Sequence, residues 1–168
     1  MRDAHSESKI SAIVRPATKQ DLAATRNRQT CGETPFAAQL PNKVALCRSD
    51  NGELLGLMPY ELEEKSLVAE IIYAESARHS NANLLHAEGG YKRYYEIAEA
   101  LFAYAVQVSL NAEFDSALVF KAETSDLLDY YAGEFCARRA AAYDPFRMII
   151  WEDAAEKIVA EFRWDFDV

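Results

Sequence analysis

Between two apolar runs, Val44 to Arg48 and Leu54 to Leu62, the chain carries Asp50-Asn51-Gly52. Asn-Gly accepts the positive φ angles of a tight reversal, so the triplet commits both runs to an antiparallel hairpin. A second reversal at Glu63-Glu64-Lys65-Ser66 leads into Leu67 to Ala74, whose centre reads VAEIIYA. Three strands therefore form a meander in the first half of the chain. Ile13-Val14-Arg15-Pro16 precedes it as a short apolar run closed by proline, which suits an edge strand. Thr18 then N-caps a helix predicted over Asp21 to about Arg28. Thr30 to Asn42, with Gly32, Pro35 and Pro41, reads as loop.

After the meander the hydrophobic period changes. Ser76 to Gly90 is irregular and polar, and then Ile97, Leu101, Tyr104, Ala105 and Val108 recur at spacings of three and four. That stripe predicts a long helix from about Tyr94 to Leu110. Phe114 to Lys121 holds a short buried strand. Ser125 caps a helix from Asp126 to about Phe135. Arg138 to Tyr143 and Arg147 to Trp151 read as strands, and Asp153 to Phe162 has helical spacing. A meander followed by strand–helix crossovers implies an α/β fold: a mixed sheet with helices on both faces.

Composition narrows the class. Half of the 168 residues are apolar and 27% are charged, with only 6 Gly and 5 Pro, which excludes a disordered or low-complexity chain. The net charge of −9 argues against nucleic acid or an anionic membrane as a general partner. Cys31, Cys47 and Cys136 have no CxxC spacing and do not read as a disulfide framework or a metal site. No apolar stretch reaches the length of a membrane span, and MRDAHSESKI lacks the apolar core of a signal peptide, so a cytoplasmic location is expected. Residues 1–11 read as a flexible lead-in and 12–168 as a single domain.

Before the long helix stand Gly89, Gly90, Lys92 and Arg93. A helix N-terminus is an anion site, because its first N–H groups point outward and its dipole favours negative charge. Glycines let backbone approach a ligand closely, and two cations add attraction in an otherwise acidic chain. The bland alternative is a loop end beside a solvated Lys-Arg pair.

The opening IVRPATKQDL, the element order and Arg93-Tyr94-Tyr95-Glu96-Ile97-Ala98 together resemble the GNAT superfamily of acyl-CoA-dependent N-acyltransferases. The hexapeptide falls where that family has Gln/Arg-x-x-Gly-x-Gly/Ala. Phe114 to Phe120, then Leu127-Leu128-Asp129-Tyr130-Tyr131 and Phe135-Cys136-Ala137, are similar to its fifth strand and the helix that completes the acyl-CoA site. The resemblance covers residues 12 to 162. It implies acetyl-CoA as co-substrate, an amine as acceptor, and direct transfer without metal. It also implies cofactor contacts from Gly89, Gly90, Lys92, Arg93, Tyr94, Tyr95, Glu96, Ile97 and Ala98. Glu70 and Glu75 are the candidate bases, with loop histidines His79 and His86 as alternatives. Burial inside an apolar run would suit Glu70 to the task. Tyr131, with Tyr130 beside it on another face, is the candidate acid for the departing thiolate. An acidic surface near the site would favour a cationic acceptor such as a polyamine, an aminoglycoside or a protein lysine.

Two departures stand out. Glu96 occupies the glycine position, and two unit charges ~4 Å apart repel by about 4 kcal/mol at an effective dielectric of 20. The turn after the tyrosine helix reads Glu134-Phe135 or Phe135-Cys136 where the family has Gly-Phe, and Gly133 comes too early. These departures keep open a second expectation, a non-catalytic binding module on the same fold. The aromatic tail Phe162-Arg163-Trp164-Asp165-Phe166 suggests a packed strap or a homodimer contact.

Overall fold

The computed structural model describes residues 1–26, 40–81, 85–86 and 89–162. Cys31, most of the loop expected over residues 30–42, and the tail from residue 163 lie outside them, and with the tail the dimer expectation. The hydrogen-bonded strand order is β2-β3-β4-β5-β8-β10-β9, with β6 paired to β4 and a separate ladder of β1 with β7. Here β1 is Arg2–Asp3, β2 Ala12–Pro16, β3 Asn42–Arg48, β4 Leu54–Glu63 and β5 Val68–Ile71. β6 is Glu75–Ser76, β7 Tyr94–Tyr95, β8 Leu118–Lys121, β9 Arg138–Arg139 and β10 Arg147–Ile150. The helices are α1 Lys19–Arg26, α2 Ile97–Asn111, α3 Ser125–Glu134 and α4 Glu152–Glu161. This is the mixed α/β arrangement expected, a large sheet flanked by helices. The chain falls into two compact units, Met1–Pro59 with Ala74–Leu101, and Tyr60–Tyr73 with the chain from Phe102 on.

In the first unit, β2 pairs antiparallel with β3 from Ala12↔Arg48 to Pro16↔Val44. Pro16 ends this edge strand, where its missing N–H costs no ladder bond. The hairpin after β3 is wider than a two-residue turn. Arg48 N–H donates to the Glu53 carbonyl at 2.9 Å, and Gly52 N–H to the Arg48 carbonyl at 3.0 Å, so Ser49 to Gly52 form the loop. Gly52 takes the left-handed conformation, at φ +72°. Asn51 instead uses its side-chain oxygen to accept from Glu53 N–H at 2.9 Å. A small core of Ala45, Cys47 and Leu57 is flanked by Ala17, Leu22 and Leu54. Burial pushes the Cys47 thiol up from its ordinary range, which suits a packing residue rather than a nucleophile.

The first helix is capped as the sequence predicts. Thr18 Oγ1 accepts from Asp21 N–H at 3.2 Å, and Asp21 Oδ2 accepts from Thr18 N–H at 2.7 Å, a reciprocal capping box. Asp21 also receives Arg15 in a fork, at 2.7 and 3.0 Å. The first residues differ from the flexible lead-in expected. β1 pairs with β7, and Asp3 Oδ1 accepts from His5 and Ser6 N–H at 2.9 and 3.0 Å, which tightens the turn behind the strand.

In the second unit, the end of β4 pairs antiparallel with β5, from Tyr60↔Ile71 to Glu63↔Val68. β5 and β8 run parallel for two residue pairs, Ala69↔Leu118 and Glu70↔Val119. β8 then continues beside antiparallel β10 as far as Lys121↔Arg147. Phe120 packs on Phe102 of α2 at 4.9 Å between ring centroids. The strand predicted from Phe114 starts only at Leu118. Glu113, Asp115 and Ser116 hold positive φ, and Ser109 Oγ donates to the Ala117 carbonyl at 2.9 Å, so this stretch is a turn clamped to α2. The cap of α3 is Thr124, one residue earlier than expected: its hydroxyl accepts from Leu127 N–H at 3.2 Å. The strand expected over Arg138 to Tyr143 is reduced to Arg138–Arg139.

Asp21 gives a pH test. The Arg15 fork holds its carboxyl at about 2, below the ordinary 3.8. A depressed carboxyl contributes stability that is complete above its unfolded value and is lost as pH falls through the folded one. Acid unfolding should therefore show a loss of about 2 kcal/mol between pH ~4 and ~2 that is absent in Asp21→Asn. Urea melts of both proteins across that window measure it.

Candidate functional site

The chain leading into α2 is held by one carboxylate. Glu53 lies just after the hairpin loop, and its Oε1 accepts from Arg93 Nη1 at 2.9 Å while its Oε2 accepts from the Tyr94 hydroxyl at 2.8 Å. His79 Nε2 stands 3.5 Å from Oε1 and Arg48 Nη1 3.8 Å from Oε2. Arg48 Nη1 also donates to the Tyr94 oxygen at 2.8 Å, and Arg48 pairs with Asp50. The Tyr94 ring, 1% exposed, lies under the guanidinium of Arg93 at 5.0 Å and that of Arg48 at 5.6 Å. Burial pushes its phenol up from 10. The His79 ring meets Tyr94 edge-on at 5.3 Å, and Ser80 Oγ links His79 Nδ1 at 2.9 Å to Tyr94 N–H at 3.0 Å.

This network changes the meaning of several sequence candidates. The Arg93 guanidinium is committed to Glu53, and its N–H donates to the His79 carbonyl at 2.8 Å. Tyr94 is a core residue with a satisfied hydroxyl. Tyr94 and Tyr95 form β7 and do not begin the helix, which starts at Ile97. Ala4 N–H donates to the Arg93 carbonyl at 2.8 Å, which makes Arg2 and Tyr95 the hydrogen-bonded pair of the β1–β7 ladder. Gly89 and Gly90 close a turn instead of cradling an anion: their N–H groups donate to the carbonyls of His86 and Leu85 at 3.4 and 2.8 Å. Lys92 is exposed.

Glu96 has φ +69°, the left-handed region that favours glycine. Its Oε1 accepts from Arg2 Nε at 2.7 Å, and its Oε2 lies 3.4 Å from the Met1 ammonium. The first bond of α2 is Ala100 N–H to the Glu96 carbonyl at 3.1 Å, so the amides of Ile97, Ala98 and Glu99 precede the helical ladder. This helix start, with the exposed Lys92 nearby in the chain, is the place here that suits an anion. Ile97 and Leu101 anchor the helix start on Gly56. A Cβ at Gly56 would stand 3.0 Å from the Glu75 carbonyl oxygen and from Ile97 Cγ2, and 3.2 Å from Leu101 Cδ1, so a larger residue would require these neighbours to shift. Glu75 is half-buried on β6, opposite Leu57.

The remaining candidates belong to the second unit. Glu70 is half-buried on β5, but its Oε1 accepts from Arg147 Nη1 at 2.8 Å, so it is an ion-paired group and not the isolated buried carboxylate expected. Tyr131 sits half-buried on α3 within an aromatic cluster. Its ring stacks on Phe102 at 5.5 Å and meets Phe120 edge-on at 4.9 Å, with Phe135 at 5.8 Å. Cys136 takes φ +52°, and Phe135 and Ala137 both donate N–H to the Tyr131 carbonyl, at 3.1 and 3.2 Å. That is the left-handed helix ending a glycine would usually supply, one residue from where the sequence pattern sought it. Tyr60 and Tyr104 form an edge-on pair at 6.4 Å, and burial followed by the Tyr60 phenol pushes Tyr104 up to about 12.

Sequence reasoning missed Glu53, Arg48 and Arg2. Glu53 directly follows the Asn-Gly turn, a position that signals only a solvated hairpin end. Among the described residues no cluster of three or more His, Cys, Asp or Glu could hold a metal ion. No described helix is long and apolar enough to cross a membrane.

No family model and no curated protein sequence matches the chain. Solved structures do. An acetyltransferase of the GNAT family from Listeria monocytogenes superposes with a TM-score of 0.55 at 8% identity, over 83% of this chain and 93% of its own. The aminoglycoside acetyltransferase AAC(6')-Ib in complex with coenzyme A and kanamycin gives 0.54 at 18%, over 88% and 98%. AtaTR bound with acetyl-CoA gives 0.55 at 14%, over 88% and 97%. The chain therefore has a GNAT-like fold, that of acyl-CoA N-acyltransferases, as its sequence resemblance implied.

Truncating the Glu53 side chain tests the network. Glu53→Ala leaves the Arg93 guanidinium and the Tyr94 hydroxyl without their acceptor, which should cost about 1–3 kcal/mol of stability. Denaturant unfolding measures it, and Glu53→Gln, which keeps an acceptor for Tyr94, should lose less.

Proposed function

We propose that the protein is an N-acyltransferase that moves an acetyl group from acetyl-CoA to an amine. One observation carries this reading beyond the shared fold. Glu96 stands at the signature position with φ +69°, the left-handed region that favours glycine, directly before a 15-residue helix whose N-terminal end suits an anion. On this reading the pyrophosphate meets the amides of Glu96, Ile97 and Ala98, with Lys92 adding charge. Tyr95 flanks the contact. Gly89, Gly90, Arg93 and Tyr94 support that segment from within the chain.

With Glu70, paired to Arg147, as the alternative, the candidate base is Glu75, half-buried on β6. It takes the proton of the attacking amine as the new C–N bond forms. Tyr131 gives its phenolic proton to the thiolate as the C–S bond breaks. The acceptor is a cationic amine, in keeping with the net charge of −9. A related fold that carries an aminoglycoside acetyltransferase is consistent with that class.

A second reading has its own observation. The amides of Arg93 and Tyr94 donate within the chain, and a carboxylate stands at the helix start. Both favour a GNAT-fold module that has lost the cofactor. Calorimetry with acetyl-CoA separates the two: saturable binding is expected for the enzyme, and none at saturating concentration for the module. Among binding-competent variants, Tyr131→Phe should lower kcat by roughly a hundredfold with little change in KM. An unchanged kcat would remove Tyr131 from the mechanism.

A further inference from the structure

On the acyl-CoA reading, a polyanion approaches the start of α2, where Glu96 places a carboxylate in the glycine position. We infer that Arg2 is a positioning residue that makes this substitution compatible with cofactor binding: it draws the Glu96 carboxylate toward β1 and cancels its charge. Arg2 Nε donates to Glu96 Oε1 at 2.7 Å, and the Met1 ammonium stands 3.4 Å from Oε2. The Arg2 guanidinium thus faces the carboxylate beside a helix N-terminus and offsets its charge there.

The contact does not depend on a long side chain reaching by chance. Arg2 is fixed opposite Tyr95 by the ladder, the Ala4–Arg93 bond at 2.8 Å closes its far end, and Lys9 bridges back to Arg2. The Asp3 turn holds the strand in that register, through His5 and Ser6 at 2.9 and 3.0 Å. The short strand therefore carries Arg2 to the one residue in the signature segment whose charge conflicts with phosphate. An arginine suits the role, since its charge persists at every working pH and its donors match a carboxylate.

The inference rests on the acyltransferase reading and is tested by a double-mutant cycle on acetyl-CoA affinity, measured by calorimetry on the full chain. Arg2→Ala should weaken binding on the order of fivefold at low ionic strength, and Arg2→Lys should retain most of the affinity. Glu96→Gln should bind at least as well as the wild type and should restore the Arg2→Ala protein to within about twofold of it. The Arg2→Ala deficit should shrink at about 0.5 M salt. Unchanged affinity in Arg2→Ala overturns the inference and leaves the enzyme reading intact. A double variant as weak as Arg2→Ala also overturns it, since Arg2 would then act through strand pairing and not through charge. Absence of binding in the wild type and every variant overturns the acyltransferase reading itself, and the role of Arg2 with it.

Discussion

A single carboxylate organises the approach to the long helix. Glu53 gathers the Arg93 guanidinium and the Tyr94 hydroxyl at 2.9 and 2.8 Å, with His79 and Arg48 at its edge. A half-buried carboxylate is costly unless its oxygens are filled, and here both are. The result is that the end of a long polar loop is tied to the hairpin that follows β3. Position and direction at Glu96 follow from that tie, because only one residue separates it from Tyr94. The Arg93 guanidinium, which the sequence offers as a ligand, is therefore spent on holding backbone in place.

Much of the fold was legible because it is written in period and turn chemistry. The Asn-Gly hairpin, the meander, the i, i+3, i+4 stripe of α2 and the Thr18 cap all appear where local rules put them. The misreadings have a common cause, which is tertiary competition for backbone. Tyr94 and Tyr95 have aromatic character that fits either helix or strand, and Arg2–Asp3, more than ninety residues away in sequence, decides for strand. The apolar run Ala117 to Phe120 suggests a strand that begins at Phe114, but Ser109 clamps the Phe114–Ala117 stretch as a turn. For the candidate site the sequence named side chains without showing what they would face. It could not show that Arg93 would face Glu53, or that Glu70 would face Arg147, because each partner lies on a different strand or loop.

The likeness to acetyltransferases at 8 to 18% identity is one of fold. Glu96 takes a left-handed φ and Cys136 another, at two places where glycine would be the easy choice. Each departure has local support: Arg2 beside Glu96, and paired N–H donors to the Tyr131 carbonyl beside Cys136. Positive φ in a side-chain-bearing residue costs on the order of 1 kcal/mol, small enough for a neighbour's hydrogen bond to offset.

The two compact units are interleaved along the chain. Each is assembled from two separated segments, and the second segment of the first unit, Ala74–Leu101, lies between the two pieces of the second. No single cut of the polypeptide can release one unit whole. The parallel pairing of Ala69 with Leu118 has to wait until roughly fifty intervening residues have been synthesised and brought back, which places a slow loop closure late in folding. Until then the apolar edge of β5 is open to other strands, so the nascent chain is most exposed to misassociation while the middle third of the sequence is emerging.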